Sequence, residues 1–501
     1  MATFLGLDIG TTSTIGVLLR LPDEVLAVAS RPVALQSRRP GWAEEDPAEW
    51  WVNVCAVARE LLARSGIATE EIDGVGVAGM LPAVVVLDRD GAVLRPSIQQ
   101  SDGRCGVEVD AMRAEWPEKA FLARAGNGIN QQLVGAKLRW IEAHESETFA
   151  RIATVFGSYD YINWRLTGRR AVEQNWALEA GFIDIATHAV DDALVAFAHC
   201  PAGALPPVIR SHAVLGPISD QAARDTGLKP GTPVVGGAAD MIASALGAGI
   251  VAKGDVLLKF GGAIDVLVAT DVVAPDPRMF LDYHLVPGLF MPNGCMSTGG
   301  SGLNWFVETF AGRERAAAEA AGLTPHQHLD RLAAARPAGS DGLTVLPYLL
   351  GEKTPIHDPL ARGVFAGLTL SHDLGHLWRA MLEAYAYAIA HHVEVLNEMG
   401  HTTTRFFVSD GGSASGIWMQ IVGDVLRQPL QALGGHLGSC IGAAWTAAIG
   451  TGCTEDWSGA ARLVRLDHVV RPDPAHAAVY AEGYRTYRDL YRRLATRDGV
   501  A

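Results

Sequence analysis

A device used twice, about 250 residues apart, narrows what this chain can fold into. Residues 3–9 form an apolar run that leads into Gly10-Thr-Thr-Ser-Thr14, and a second apolar run, Ile15-Gly-Val-Leu-Leu19, follows at once. Two short apolar runs joined by a polar, glycine-bearing turn predict a β-hairpin. The pattern returns at Val256-Leu-Leu-Lys-Phe260, Gly261-Gly-Ala263 and Ile264-Asp-Val-Leu-Val268. Each hairpin opens one half of the chain, so a duplicated pair of related domains is expected, 1–248 and 249–501.

The stretches between the hairpins alternate strand and helix signals. Asp46-Pro47 reads as a helix start, with Asp as cap and Pro in the first turn. Trp51, Val54, Cys55, Ala58, Leu61 and Leu62 are then the predicted buried stripe before Gly66. Val84–Leu87 reads as a strand turned by residues 88–91, Val234-Val235 as a short strand, and 241–249 as a helix. In the second half, 374–399 predicts a long helix with Leu374, Leu377, Trp378, Met381, Tyr385, Ala388, His392, Val395 and Met399 on one broad face. His391 is expected at the surface and His392 in the core. Arg405–Ser409, Asp410-Gly-Gly-Ser413 and 417–426 read as strand, tight loop and helix, a geometry that turns backbone N–H groups toward a ligand. The class is α/β.

Composition removes several alternatives. Against 41 Lys+Arg stand 55 Asp+Glu, a formal net charge of −14, which argues against a nucleic-acid partner. Six cysteines show no CxxC pair and no zinc spacing, which fits a reducing, cytoplasmic setting. No basic stretch precedes a long apolar run at the N-terminus, and none of the runs reaches the roughly 18 apolar residues of a membrane span. A soluble cytoplasmic protein with no membrane partner is therefore expected.

Absent motifs prune further: no GxxxxGK[ST], HExxH or GxSxG occurs. Gly74-Val-Gly-Val-Ala-Gly79 matches GxGxxG, yet Glu70–Asp73 before it and Leu81–Val86 after it lack the strand-then-helix context of a dinucleotide site. Where the first hairpin turns, Gly10 lets the backbone approach an anion, and Thr11, Thr12 and Ser13 carry hydroxyls for phosphate oxygens. An acidic residue beside phosphates needs a cation, so Asp8 is a candidate Mg²⁺ ligand, acting through water. Gly261, Gly262 and Ala263 form the second such turn. Asp240 begins a helix after two glycines. It can serve there as a simple cap or, if it faces a substrate, accept a proton from an alcohol.

Together, Asp8-x-Gly-Thr-Thr12, Gly41-Trp-Ala-Glu-Glu-Asp-Pro-x-x-Trp50, Gly236-Gly-Ala-Ala-Asp240, Tyr348–Pro355, Asp358-Pro-x-Ala-Arg-Gly363 through Thr369, and Asp410-Gly-Gly-Ser413 resemble the FGGY carbohydrate kinases, most of all the xylulokinases. The resemblance spans nearly the whole chain in order. It implies a two-domain actin-like ATPase (ribonuclease H-like) fold with a cleft between the domains, the sugar held by the first and ATP by the second. It further implies Asp240 as catalytic base, Asp8 as the Mg²⁺ position and Asp410, Gly411, Gly412 and Ser413 as the adenosine-side loop.

The chain also departs from the family pattern. Gly79-Met80-Leu81-Pro82-Ala83 stands where xylulokinases carry Gly-Gln-Met-His-Gly, so an apolar wall of Met80 and Leu81 is expected beside the sugar. Gln100-Ser-Asp-Gly-Arg104 keeps Asp102 and Arg104 of Trp-Asn-Asp-x-Arg without the aromatic residue, so by the resemblance Asp102 and Arg104, with Asp240, are expected to bind the sugar; the second phosphate turn lacks a hydroxyl. The implied reaction is ATP- and Mg²⁺-dependent phosphorylation of a small ketose or polyol, D-xylulose first. Ribulose, gluconate, glycerol or erythritol are the other acceptors in view, and a non-kinase actin-like ATPase is the rival class. Partners are then the sugar and, at most, a second copy of the chain.

Overall fold

The computed structural model describes residues 1–435 and 438–495. Contacts divide the chain into two compact units, Met1–Val251 with Val273–Met291 and Leu437–Val464, and Ala252–Val272 with Pro292–His436 and Arg465–Ala501.

In the first unit, strands Thr3–Ile9 and Ser13–Arg20 form the expected hairpin, and Glu24–Pro32 extends it antiparallel. On its other side, Thr3–Ile9 pairs in parallel with Ile72–Gly79, which pairs in parallel with Pro233–Val235; Val214–Pro217 closes that edge antiparallel. The second unit repeats this order and these directions. Hairpin Asp255–Phe260 and Ile264–Val268 is extended antiparallel by residues 293–295. Asp255–Phe260 pairs in parallel with Arg405–Ser409, then come Leu430–Gly434 in parallel and Arg465–Val470 antiparallel. Matching strand order and polarity across six positions is what a duplicated domain produces, each copy centred on a glycine-turned hairpin.

The GxGxxG segment lies wholly inside strand Ile72–Gly79, and its glycines have a packing role. Helix Ser439–Gly450 lies directly on the sheet: a Cβ on Gly76 would fall 2.7 Å from the carbonyl carbon of Ala443, and one on Gly74 3.0 Å from the Thr451 methyl. Only hydrogen side chains let helix and strand backbones come this close.

Helix Pro47–Ser65 starts on Asp46, whose carboxylate accepts the Ala48 N–H at 2.9 Å, and stops at left-handed Gly66. Its buried face is centred on Trp50, Val54, Val57 and Leu61; Cys55 and Leu62 are only half-buried, a rotation of the stripe from the expected one. The helix expected over 241–249 is Asp240–Gly247.

Helix Leu374–Glu398 is buried on nearly every side between Trp378 and Ile389 instead of along one face, because neighbouring elements pack around it. Its polar positions are paired internally. Arg379 Nε donates to Glu383 Oε1 at 3.0 Å and Arg379 Nη2 to the Tyr480 hydroxyl at 2.7 Å, while Glu383 also accepts from Gly339 N and Ser340 Oγ. The expectation of a surface His391 fails for the same reason: it is 8% exposed, and His392 is fully buried. Among the described residues, no helix is long and apolar enough to cross a membrane.

Candidate active site

In the first unit, strand register gathers residues that are far apart in sequence. Asp8 lies opposite Ala78, and Ala78 lies opposite Ala238 of the two-residue strand Ala238–Ala239. Three adjacent parallel strands therefore end level. Ile9 leads into Gly10, Gly79 into Met80 and Ala239 into Asp240, about 5 Å apart from strand to strand. The Met80 N–H donates to Ile9 O at 3.1 Å and ties two of these ends together. Ends of parallel strands are where open α/β sheets bind ligands, since the backbone there leaves the sheet with its polar groups outward.

Asp240 is half-buried and is the first residue of its helix, with Ala239 in the cap position; one of its carboxylate oxygens accepts the Met241 N–H at 2.6 Å. Asp8, also half-buried, sits beside the start of helix Ser439–Gly450, where burial and the Asp8 charge push the Cys440 thiol well up. Gly10 closes the hairpin turn by donating its N–H to Ser13 O at 3.0 Å, with Thr12 at the exposed tip between Thr11 and Ser13.

Asp102 and Arg104 make a buried internal cluster. The Asp102 carboxylate takes the Ala43 N–H at 2.6 Å and a two-point grip from Arg104 at 2.8 and 2.7 Å. Arg104 Nη1 lies 2.8 Å from Glu44, and the guanidinium stacks 3.7 Å from the Trp42 ring centroid. With side chains 0% and 1% exposed, the pair braces the segment that carries Gln100. Gln100 Oε1 in turn accepts from Gln132 Nε2 at 3.1 Å.

Met80 and Leu81 are 3% and 4% exposed. Two polar side chains that sequence reasoning passed over hold this segment from behind. Ser158 Oγ donates to Met80 O at 2.7 Å, and the fully buried Lys137 donates to Pro82 O at 2.9 Å. Burial brings the Lys137 ammonium down to about 8. A lysine in an amphipathic-looking stretch carries no local signal that it points inward.

In the second unit, parallel pairing of Lys259 with Ser409 sets the Gly261–Ala263 turn beside the Asp410 loop; a Cβ on Gly261 would be 3.8 Å from Asp410 Oδ2. The turn is anchored to helix Gly300–Phe310, where Gly300 N donates to Gly261 O at 2.9 Å and Ser301 N to Gly262 O at 3.0 Å. Asp410 is exposed and left-handed at φ +70°, a conformation costly for a side-chain-bearing residue and concentrated at functional loops. Ser413 N and Oγ both donate to Asp410 O, at 3.1 and 2.7 Å, and Gly412 packs under Phe260 and Trp418 where a Cβ would clash at 2.7–2.8 Å.

Residues 3–247 match the N-terminal domain, and residues 266–451 the C-terminal domain, of the FGGY family of carbohydrate kinases. The chain belongs to that family. This carbohydrate kinase is similar to xylulose kinase of Escherichia coli K12, 28% identical over 98% of this chain and 99% of the relative. The L-xylulose/3-keto-L-gulonate kinase of the same organism is 29% identical over 98% and 97%. Among solved structures, the xylulose kinase from Rhodospirillum rubrum superposes with a TM-score of 0.92 at 58% identity, covering 99% of each chain. The architecture is thus the two-domain actin-like ATPase fold. A separate cavity of about 550 Å³ in the first unit, walled by Gln174, Ile209, Arg210, His212, Tyr283 and Phe290 among others, contains none of the site residues assigned above.

Proposed function

We propose that this kinase transfers the γ-phosphoryl group of ATP to the terminal hydroxyl of D-xylulose, giving D-xylulose 5-phosphate and ADP. The observation that carries the reading is the convergence of Asp8, Met80 and Asp240 on three level strand ends, in a chain 58% identical to a xylulose kinase over 99% of its length. Phosphoryl transfer needs chiefly alignment and charge neutralisation. Asp240 takes the proton as the sugar oxygen forms its bond to the γ-phosphorus and the bond to the ADP oxygen breaks. Met80 and Leu81 pack against the acceptor, and the Asp102–Arg104 cluster holds the Gln100 segment in place. The hairpin turn Gly10–Ser13 offers N–H and hydroxyl donors to phosphate oxygens, and Gly261–Ala263 with Asp410–Ser413 serve the nucleotide.

Among the described residues no group of three or more His, Cys, Asp or Glu side chains could cage a metal. Asp8 is the residue that would hold a Mg²⁺ ion, which is suited by one or two carboxylates together with water and phosphate oxygens. Bound there, Mg²⁺ supplies neutralisation of phosphate charge.

The test is a coupled ADP assay with D-xylulose, L-xylulose, D-ribulose, gluconate and glycerol. D-Xylulose is expected to give the highest kcat/KM, and Asp240→Asn to lower sugar-stimulated kcat by at least roughly 10²-fold with a normal thermal melt. ATP turnover that no sugar raises, or an Asp240→Asn enzyme within a few-fold of wild type, refutes the reading.

A further inference from the structure

One helix, Ser158–Thr167, touches both segments that bring residues to the acceptor side. Ser158 holds Met80 O, as described. Five residues further along, Asn163 Nδ2 donates to Gly236 O at 2.8 Å. Between them, the Tyr159 hydroxyl donates to Glu173 Oε2 at 2.9 Å. Glu173 Oε1 accepts from Ser211 Oγ at 2.6 Å, and Ser211 O accepts the Gly237 N–H at 3.0 Å. The Gly236–Gly237 turn is thereby fixed from two directions, at the carbonyl of one residue and the N–H of the next. It lies three residues before Asp240.

This turn needs such bracing. Gly237 is left-handed at φ +95°, and a Cβ there would be 3.1 Å from Asn163 Nδ2 and 3.2 Å from the Tyr159 ring, so glycine is required and the conformation of the turn rests on its hydrogen bonds, which include Gly236 N to Ala213 O at 2.9 Å. The strand that follows it, Ala238–Ala239, is only two residues long. The brace is costly to build: Tyr159 and Glu173 are fully buried, and burial pushes the Glu173 carboxyl up to about 7 despite four donors facing it. Asp160 completes the support by accepting the Glu173 N–H at 2.9 Å and the Gly157 N–H at 3.0 Å.

We propose that Asn163 and the Tyr159–Glu173–Ser211 chain are positioning residues that set the carboxylate of Asp240 against the acceptor hydroxyl. The inference rests on Asp240 being the base. A general base displaced by about 1 Å loses on the order of 10²-fold in rate, whereas its removal costs about 10²–10⁴-fold. A residue that acts only through Asp240 should therefore matter only while Asp240 is intact.

The experiment is a double-mutant cycle on the full chain with saturating D-xylulose and MgATP, using Asn163→Leu with Asp240→Asn, and Tyr159→Phe as an independent second arm that keeps the ring and removes only the hydroxyl. In wild-type background each brace variant is expected to lower kcat by roughly 10–10²-fold, with KM for MgATP within about three-fold of wild type. In the Asp240→Asn background the further loss should fall below about three-fold. Equal losses in both backgrounds, or no loss in either, overturn the positioning role while leaving Asp240 as base. An Asp240→Asn variant of near-normal rate removes both readings. If Asn163→Leu does not fold, the Tyr159→Phe arm decides alone.

Discussion

Replacing Gly76 with Ala sets two physical effects against each other with opposite signs. Glycine in a strand interior carries a conformational-entropy cost, and Gly76 is not left-handed, so propensity alone expects Gly76→Ala to stabilise by about 0.4–1 kcal/mol. Packing expects the reverse. The new methyl would overlap the carbonyl oxygen of Ala443 and fall 2.7 Å from its carbonyl carbon, with ordinary contact beginning near 3.4 Å, so helix Ser439–Gly450 must move off the sheet by more than the 0.7 Å (3.4 − 2.7) that the carbon alone demands. A gap of 0.5–1 Å forfeits roughly a quarter to a half of each dispersion contact, and this helix is buried from Ser439 to Ala448. The loss belongs at the upper end of the overpacking range, about 3 kcal/mol. Urea unfolding followed by tryptophan fluorescence reads the difference, alongside KM for MgATP. A variant as stable as wild type or more stable would refute the packing account. A variant of normal stability with a sharply raised KM for MgATP would mean that the GxGxxG segment contacts nucleotide after all.

Asp8→Ala should raise the Mg²⁺ concentration needed for half-maximal rate and cut turnover strongly, read by Mg²⁺ titration of initial rates; an unchanged Mg²⁺ dependence would remove Asp8 from the metal position. Glu45 is fully buried, accepts from Trp50 Nε1 at 2.8 Å, and is pushed by burial from 4.5 up to about 7. The folded state therefore holds a proton that the unfolded state has lost between those values, and stability falls as pH rises through that window. At 1.36 kcal/mol per unit the full effect is about 3 kcal/mol, absent below pH 4.5 and complete above pH 7. The urea midpoint of Glu45→Gln relative to wild type should consequently improve between pH 5 and pH 8; a difference independent of pH would refute this.

Local features of this protein were legible in the amino-acid sequence because their causes are local. Both glycine-turned hairpins, the Asp46-capped helix and the strand–loop–helix at 405–426 depend on turn chemistry and periodicity within about ten residues. The repeat of the hairpin anticipated the duplicated sheets, whose strand order only the tertiary structure displays. What the sequence could not decide is what faces what. Asp8, Met80 and Asp240 meet through parallel pairing across some 230 residues, which no local periodicity encodes. Arg379 and Glu383 look like a solvated i,i+4 pair and His391 like a surface residue, until surrounding elements close over them. Lys137, Ser158 and Asn163 act through single hydrogen bonds to backbone carbonyls of distant segments, and a carbonyl partner leaves no mark in the residue type. Chemistry follows residue identity, so the sequence could nominate Asp8, Asp240 and the two glycine turns as candidates; orientation and burial follow from packing, so only the folded chain shows what holds them in place.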